Sequence, residues 1–146
     1  MKDKVLSIAS TIIAVVLLLF VTALLLFGQI SNATKKRTAE KAIEEFSIAL
    51  KSYYDDCGEF PTWQQGLEAL WCKPVLFPVP GKWNGPYLPH QVQCDPWGAD
   101  YVYTRRDCLS FPRRVPYVFE YAIICFGADS IVGGSGFDED IMGLGK

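Results

Sequence analysis

The sequence predicts an α+β protein, because helical segments come first along the chain and short strands follow. Three observations predict this class: an uncharged apolar run near the N-terminus, an amphipathic segment after it, and two β-branched and aromatic runs towards the C-terminus. The 146 residues leave room for one globular domain. A hydrophobic content of 50% argues against disorder, and a net charge of -2 offers no basic surface to nucleic acid.

The apolar run is the first element. No charged residue occurs between Lys4 and Lys35, which is enough chain to cross a hydrocarbon core of about 30 Å as a helix. A secretory signal peptide with a cleavage site at 31–33 is one interpretation. The apolar stretch exceeds the usual ~7–15 residues of a signal peptide, so we expect an uncleaved anchor over residues 1–34, with membrane contact through residues 5–30.

A helical stem follows the anchor within the predicted globular domain, residues 35–146. Apolar residues recur here at steps of three and four, which is typical of one helix face. They are Ile43, Phe46, Leu50, Tyr53 and Tyr54. We expect the stem to span residues 35–55 and the head residues 56–146, with Gly58 as a left-handed C-cap.

The first half of the head contains a short helix and a long loop. Thr62 and Gln65 have the spacing of a capping box, which predicts a second helix that ends by Pro74. The proline-rich stretch that follows excludes a long helix or a central strand. We expect an ordered loop, held in place by Trp83, Tyr87 and Trp97.

Two strands complete the predicted fold. Residues 101–104 and 117–125 are rich in aromatic and β-branched side chains, and a turn sequence at 95–98 precedes the first of them. Antiparallel pairing of the two runs is the simplest arrangement.

The cysteines indicate the compartment. All five lie after the apolar run, without a CxxC pair, at Cys57, Cys72, Cys94, Cys108 and Cys125. Disulfides in an oxidising compartment would place this domain outside the cytoplasm, and an odd count leaves at least one thiol free or paired between chains. The alternative is that several of these cysteines are small buried hydrophobic residues.

The C-terminal segment is rich in glycine and acidic residues. Between Gly127 and Gly145 its charged residues are Asp129, Asp138, Glu139 and Asp140. Carboxylates and converging carbonyls are the hard oxygen donors that calcium prefers, although the EF-hand order is absent. From the residues alone, a calcium loop and a solvated acidic turn remain equally open.

Several ordered blocks of the head resemble one family, the protein G major pseudopilins of bacterial type II secretion systems. The blocks are residues 54–62, 65–70, 83–88, 95–98, 126–129, 133–134 and 138–141. The resemblance implies a long N-terminal transmembrane and stem helix packed on a small antiparallel sheet, with a C-terminal calcium-type loop. By the same resemblance, the Ca²⁺ ligands would be the carboxylates of Asp129, Asp138 and Asp140. Backbone oxygens of Phe126, Ile131 and Ser135 would complete the coordination shell.

The resemblance also implies a function. The chain would be a single-pass protein of the bacterial inner membrane with its C-terminal domain in the periplasm. It would associate with itself and with other pseudopilins or secretion-platform proteins in a pseudopilus that moves folded proteins across the outer membrane.

The N-terminal residues differ from the family pattern. No glycine precedes Gly28 and no glutamate precedes Glu40, so the prepilin peptidase motif is absent. This difference favours an alternative function, a non-polymerising, membrane-tethered envelope binding protein stabilised by calcium. An enzyme is not expected, because the single histidine, His90, lies among prolines without a catalytic partner nearby in sequence.

Overall fold

The computed structural model describes residues 2–108, 111–113, 115–116 and 118–146, with the side chains of residues 2–11 left out of the description. The chain divides into two compact units, residues 1–34 and residues 35–146. The elements in chain order are helix α1 (Lys2–Cys57), a 3₁₀ turn (Leu67–Leu70), and strands β1 (Val102–Arg105), β2 (Tyr121–Cys125) and β3 (Ile141–Gly145).

Helix α1 is 56 residues long and is unbroken at Gly28. It ends at Cys57, two residues beyond the predicted stem. The predicted cap is confirmed, since Gly58 has a φ of 81° and its N–H donates to the carbonyl of Tyr54 at 2.8 Å. A glycine is favoured here because a side chain would be strained at that φ.

The second half of α1 supplies most of the core. Its buried apolar residues are Ala39, Ile43, Phe46, Ala49, Leu50 and Tyr53. Tyr54 was expected on the same stripe, but it is 44% exposed, so that part of the prediction is wrong. Each residue advances about 100° around a helix, which places Tyr54 at the margin of the face that Tyr53 occupies, with its ring centroid 4.7 Å from that of Phe60.

The three strands form one antiparallel sheet in the order β1-β2-β3. All five residues of the central strand β2 are buried. Tyr121, Ile123 and Cys125 belong to the same buried cluster as the apolar face of α1. The strand begins four residues later than predicted, and Tyr117 lies outside the described residues.

Strand β3 was not predicted, because its sequence contains glycines that sequence rules read as turns. One of them has a packing role. A Cβ at Gly143 would lie 2.4 Å from Cγ2 of Ile43 and 3.3 Å from Oγ of Ser47, so the close approach of β3 to α1 requires glycine. The sheet of three strands, and not two, is therefore a result of tertiary packing.

The segment between α1 and β1 is ordered by side chains. The capping box is confirmed: Thr62 N–H donates to Oε1 of Gln65 at 3.0 Å, and Gln65 N–H donates to Oγ1 of Thr62 at 3.2 Å. The helix that follows is only a four-residue 3₁₀ turn. Two of the expected anchors of the loop form hydrogen bonds, since Nε1 of Trp83 donates to the carbonyl of Ala69 at 2.9 Å and Tyr87 donates to Asp56 at 2.9 Å. The third, Trp97, is partly buried against the core, and its Nε1 has no hydrogen-bond partner in the part of the chain that the structure describes.

Candidate functional site

The predicted metal ligands lie in the loop that connects β2 to β3, residues 126–140. Cys125 and Ile141 are paired in the sheet, so the two ends of this β2–β3 loop are adjacent. Two backbone bonds cross the loop: Ala128 N–H donates to the carbonyl of Phe137 at 2.9 Å, and Asp140 N–H donates to that of Gly133 at 3.2 Å. The loop is therefore a closed, compact structure.

Glycines allow this loop to fold tightly. Gly134 has a φ of 79°, and a Cβ there would lie 2.2 Å from the carbonyl oxygen of Asp138. Gly127 has a φ of 72°, and its Cβ would lie 2.8 Å from the carbonyl oxygen of Phe137. At both positions a carbonyl oxygen approaches the glycine Cα so closely that no other residue fits.

The three aspartates have different surroundings. Oδ1 of Asp129 accepts the N–H of Ile131 at 3.0 Å. Both carboxylate oxygens of Asp140 lie within hydrogen-bond distance of the N–H of Gly133, at 3.1 and 3.0 Å. Asp138 has an exposed side chain, and its N–H donates to the carbonyl of Ser135 at 3.3 Å. Two of the three carboxylates thus stabilise the turn through backbone N–H groups.

The donor chemistry of the loop suits calcium, since the predicted ligands are all oxygen atoms of carboxylates or backbone carbonyls. The side chains do not converge on one point. Within the described part of the chain, no group of three or more His, Cys, Asp or Glu side chains is close enough to hold a metal ion. The N–H groups that Asp129 and Asp140 accept leave lone pairs on their carboxylate oxygens for an ion. The calcium assignment stays a prediction.

One contact of the loop was missed by sequence reasoning. Nζ of Lys36, near the middle of α1, lies 3.0 Å from Oε2 of Glu139 and 3.4 Å from the carbonyl oxygen of Gly136. In the sequence, Lys36 is one of three basic residues that follow the apolar run. Because 103 residues separate the two partners of this ion pair, no local sequence signal could reveal it.

All five cysteines lie among the described residues and none of them forms a disulfide with another, so the predicted disulfides are not shown. Cys125 is fully buried and its Sγ lies 3.2 Å from Oδ2 of Asp95, to which it donates. Burial raises the pKa of the Cys125 thiol to about 11, so it remains protonated at neutral pH. Cys94 instead donates to Asp100 at 3.5 Å, at an exposed position.

The other candidate surface is the apolar part of α1. By length and composition, the described helix is able to cross a membrane. Its large apolar side chains between residues 12 and 30 are all exposed, from 49% at Val21 to 74% at Phe27. A continuous apolar surface of this kind requires lipid or other helices around it.

His90 lies at the surface of the C-terminal unit, in a cleft that Lys41, Glu45 and Cys94 also line. It is exposed, and its Nδ1 lies 3.0 Å from the carbonyl oxygen of the adjacent residue Gln91. This contact is local and involves no second titratable side chain.

Comparison with known proteins identifies relatives of the whole globular unit. The family model for type II secretion system (T2SS), protein G, matches residues 26–144. The type II secretion system core protein G of Pseudomonas aeruginosa is 34% identical over 133 residues, covering 89% of this chain and 87% of that protein. The core protein G of Vibrio cholerae is 30% identical over 134 residues, covering 89% and 84%.

A solved structure has the same fold. The crystal structure of the major pseudopilin from the type 2 secretion system of enterohaemorrhagic Escherichia coli superposes with a TM-score of 0.58 at 25% sequence identity. The match covers 76% of this chain and 83% of that one. The fold of this chain, a long N-terminal helix followed by a small antiparallel sheet, thus matches that of a solved pseudopilin.

Proposed function

This chain belongs to the protein G family of type II secretion systems, and from that premise we propose that it is a structural subunit of a pseudopilus that helps to move folded proteins across the outer membrane. The observation that carries the proposal is the exposed apolar surface of α1 between residues 12 and 30. At about 1.5 Å per residue this stretch is about 28 Å long, close to the thickness of a hydrocarbon core.

The apolar surface of this helix would be covered first by lipid and then by other helices. Before assembly, lipid would cover its apolar side chains in a bacterial inner membrane. During assembly, helices of neighbouring copies would pack on the same surface, because apolar helices lose little by exchanging lipid for one another. The partners of this chain would then be further copies of itself, other pseudopilins and proteins of the secretion platform.

The orientation follows from charge and cysteine content. Lys2 and Lys4 precede the apolar run and favour a cytoplasmic N-terminus, which would place the C-terminal unit in the periplasm. The opposite flank also carries basic residues, at 35–37, so the cysteines are the second support. All five lie in the C-terminal unit, where an oxidising periplasm would allow disulfides.

Calcium would serve this unit as a structural ion. The carboxylates of Asp129, Asp138 and Asp140 would hold it, with backbone oxygens of Phe126 and Ile131 and an oxygen of Ser135. When bound, the ion supplies positive charge that offsets the mutual repulsion of the acidic side chains. The protein's own part is the glycine-rich backbone, which keeps the β2–β3 loop closed.

The experiment that tests this function is amine crosslinking of the full chain in intact cells. We expect a ladder of dimers, trimers and larger multimers, which disappears when membranes are dissolved in denaturing detergent before the crosslinker is added. A chain that stays monomeric in cells at normal expression would contradict a pseudopilus subunit. That result would favour the non-polymerising, membrane-tethered binding protein, for which the absence of a glutamate before Glu40 is the supporting observation.

A further inference from the structure

A loop between the 3₁₀ turn and β1 displays apolar side chains to solvent. Within residues 73–82, Val75 is 89% exposed and Phe77 is 90% exposed, and Leu76 and Val79 are each more than half exposed. Single exposed apolar residues are common on protein surfaces, but a contiguous group of four marks an interaction site.

The backbone of this loop is held in place by one buried side chain. Gln65 is 8% exposed, and its Nε2 donates to the carbonyls of Leu76 and Pro78 at 2.8 Å each. These carbonyls flank Phe77, so the amide group fixes the backbone on both sides of the most exposed ring. The fold therefore presents the apolar side chains in one conformation, which lowers the ordering cost of binding. We refer to residues 73–82 as the clamped loop.

A second apolar surface lies on the face of the sheet that α1 does not cover. It is a groove of about 520 Å³, and six of its lining residues are Val102, Thr104, Ile124, Phe126, Val132 and Met142. Val132 in its lining is 69% exposed, and the adjacent residue Ile131 is 65% exposed. We refer to this surface as the outer groove.

The floor of the outer groove contains a polar atom without a partner. Thr104 is 2% exposed, and its Oγ1 has no hydrogen-bond partner among the described residues. A buried hydroxyl in this condition is costly, and a carbonyl oxygen that reached it would satisfy it. The clamped loop offers backbone carbonyls beyond the two that Gln65 engages, and its three prolines bring no competing N–H groups.

The charged residues that flank the two surfaces are mostly of opposite sign. The clamped loop has Lys73 and Lys82 at its ends and no acidic residue. The β2–β3 loop beside the outer groove has four acidic residues and no basic one, while Arg113 is a basic residue of the groove lining. Opposite charges around two apolar surfaces favour their encounter and fix its orientation.

We propose that the clamped loop of one copy docks into the outer groove of a second copy, with Phe77 as its central apolar side chain. This contact deepens the proposed pseudopilus function and rests on it. The two surfaces are different parts of the same unit, so the contact is heterologous. Repetition of a heterologous contact generates a ring or an open helical filament and not a two-fold dimer, and the open filament is the form that a pseudopilus requires. The clamped loop thus adds a contact between heads to the packing of the helices.

Disulfide crosslinking of the full chain in membranes tests the contact. The exposed native cysteines are removed by Cys72→Ser and Cys94→Ser, and Phe77→Cys is combined with Val132→Cys. After mild oxidation we expect a ladder of covalent multimers, since each copy then has one thiol for each neighbour. Each disulfide holds a contact once it has formed, so crosslinked copies accumulate even though loss of the Phe77 ring weakens the contact. Phe77→Cys or Val132→Cys alone is expected to give no ladder.

A matched control uses an exposed position on another surface. Ile48 is 64% exposed on α1, which packs on the opposite face of the sheet, so Phe77→Cys with Ile48→Cys should give no ladder above background. In a chain with native cysteines, Phe77→Ser should lower the amine-crosslinked multimers by about tenfold, as expected for a central interface residue. Because Phe77 is 90% exposed, the melting temperature of the Phe77→Ser variant should be unchanged.

The outcomes separate this proposal from the pseudopilus function. If amine crosslinking still gives the multimer ladder but the 77–132 pair does not, the chain assembles and the docking contact is wrong. Crosslinks from position 77 to a different protein, or binding of the clamped loop to lipid vesicles with no effect on multimers, would also overturn it. Loss of every ladder, including that of the unchanged chain, contradicts the pseudopilus function itself.

Discussion

The contact between β3 and α1 gives a prediction that can be worked out from the structure. Gly143→Ala adds one methyl group where the helix and the sheet meet. That carbon would lie 2.4 Å from Cγ2 of Ile43, a buried β-branched residue that is 5% exposed. Ile43 has little freedom to move away, because its χ1 is restricted in a helix. The sheet or the helix must therefore shift by a fraction of an ångström.

Overpacking of this kind costs about 1–3 kcal/mol. For a unit of this size, 1 kcal/mol corresponds to about 4 °C in Tm, so we expect a fall of about 4–12 °C. Ile43→Ala should by itself cost about 2–5 kcal/mol through the cavity it leaves. The double variant should lose less stability than the two single losses added together, because the new methyl group occupies part of that cavity.

Thermal unfolding of the full chain in mild detergent, followed by circular dichroism, measures these effects. Gly81→Ala is the matched control, since a Cβ at Gly81 has nothing within 4 Å and its φ needs no glycine. If Gly143→Ala and Gly81→Ala melt at the same temperature, the close approach of β3 to α1 is not present in solution. Strict additivity of the two changes at 43 and 143 would also refute the reasoning.

Three further predictions concern the head. Calcium chelation should lower Tm, since an ion at a hundredfold excess over its Kd stabilises the folded unit by about 2.7 kcal/mol. Asp129→Asn should abolish this response, and the control Asp100→Asn should keep it. A Tm that does not change with chelator would contradict the calcium site. Gln65→Leu breaks the capping box and both loop bonds, so denaturant titration should show a loss of about 1–3 kcal/mol, and unchanged stability would mean that the clamp is absent. Stability should fall from pH 9 to about 11, because burial raises the Cys125 pKa from 9.0 to about 11 and the unfolded thiol ionises first. Cys125→Ala should make that fall shallower by the share of one thiol, since tyrosines whose pKa is also raised by burial, such as Tyr87 at about 12, contribute to the same fall above pH 10. An equally steep profile in the variant would contradict this assignment.

Local signals predicted much of the fold. The helix, its end near Gly58, the capping box of Thr62 and Gln65 and the strand at β1 all depend on residues within a few positions of one another. For such elements the periodicity and the turn chemistry are present in a short window of sequence. The second helix was overestimated, because Gly66 at its N-cap, with a φ of 61°, leaves room for only a short 3₁₀ turn before Pro74.

The candidate site was predicted in composition but not in arrangement. The acidic, glycine-rich segment was identified as a loop, and the structure places all six predicted ligands on it or at its start. Which oxygens accept backbone N–H groups could not be predicted, because it depends on how the glycines fold the loop back on itself. The clamped loop was expected to be ordered, but its link to Gln65 was not.

From its residues alone, this protein was determined to have an apolar helix long enough for a membrane, an amphipathic continuation and a small head of family-specific motifs. Only the tertiary structure decided that β3 completes the sheet, that Lys36 pairs with Glu139 and that Gln65 holds the backbone around Phe77. Those contacts join residues that are distant in the chain or depend on one missing Cβ. Each of them forms only because folding brings two distant segments close together, and a short window of sequence does not specify that distance.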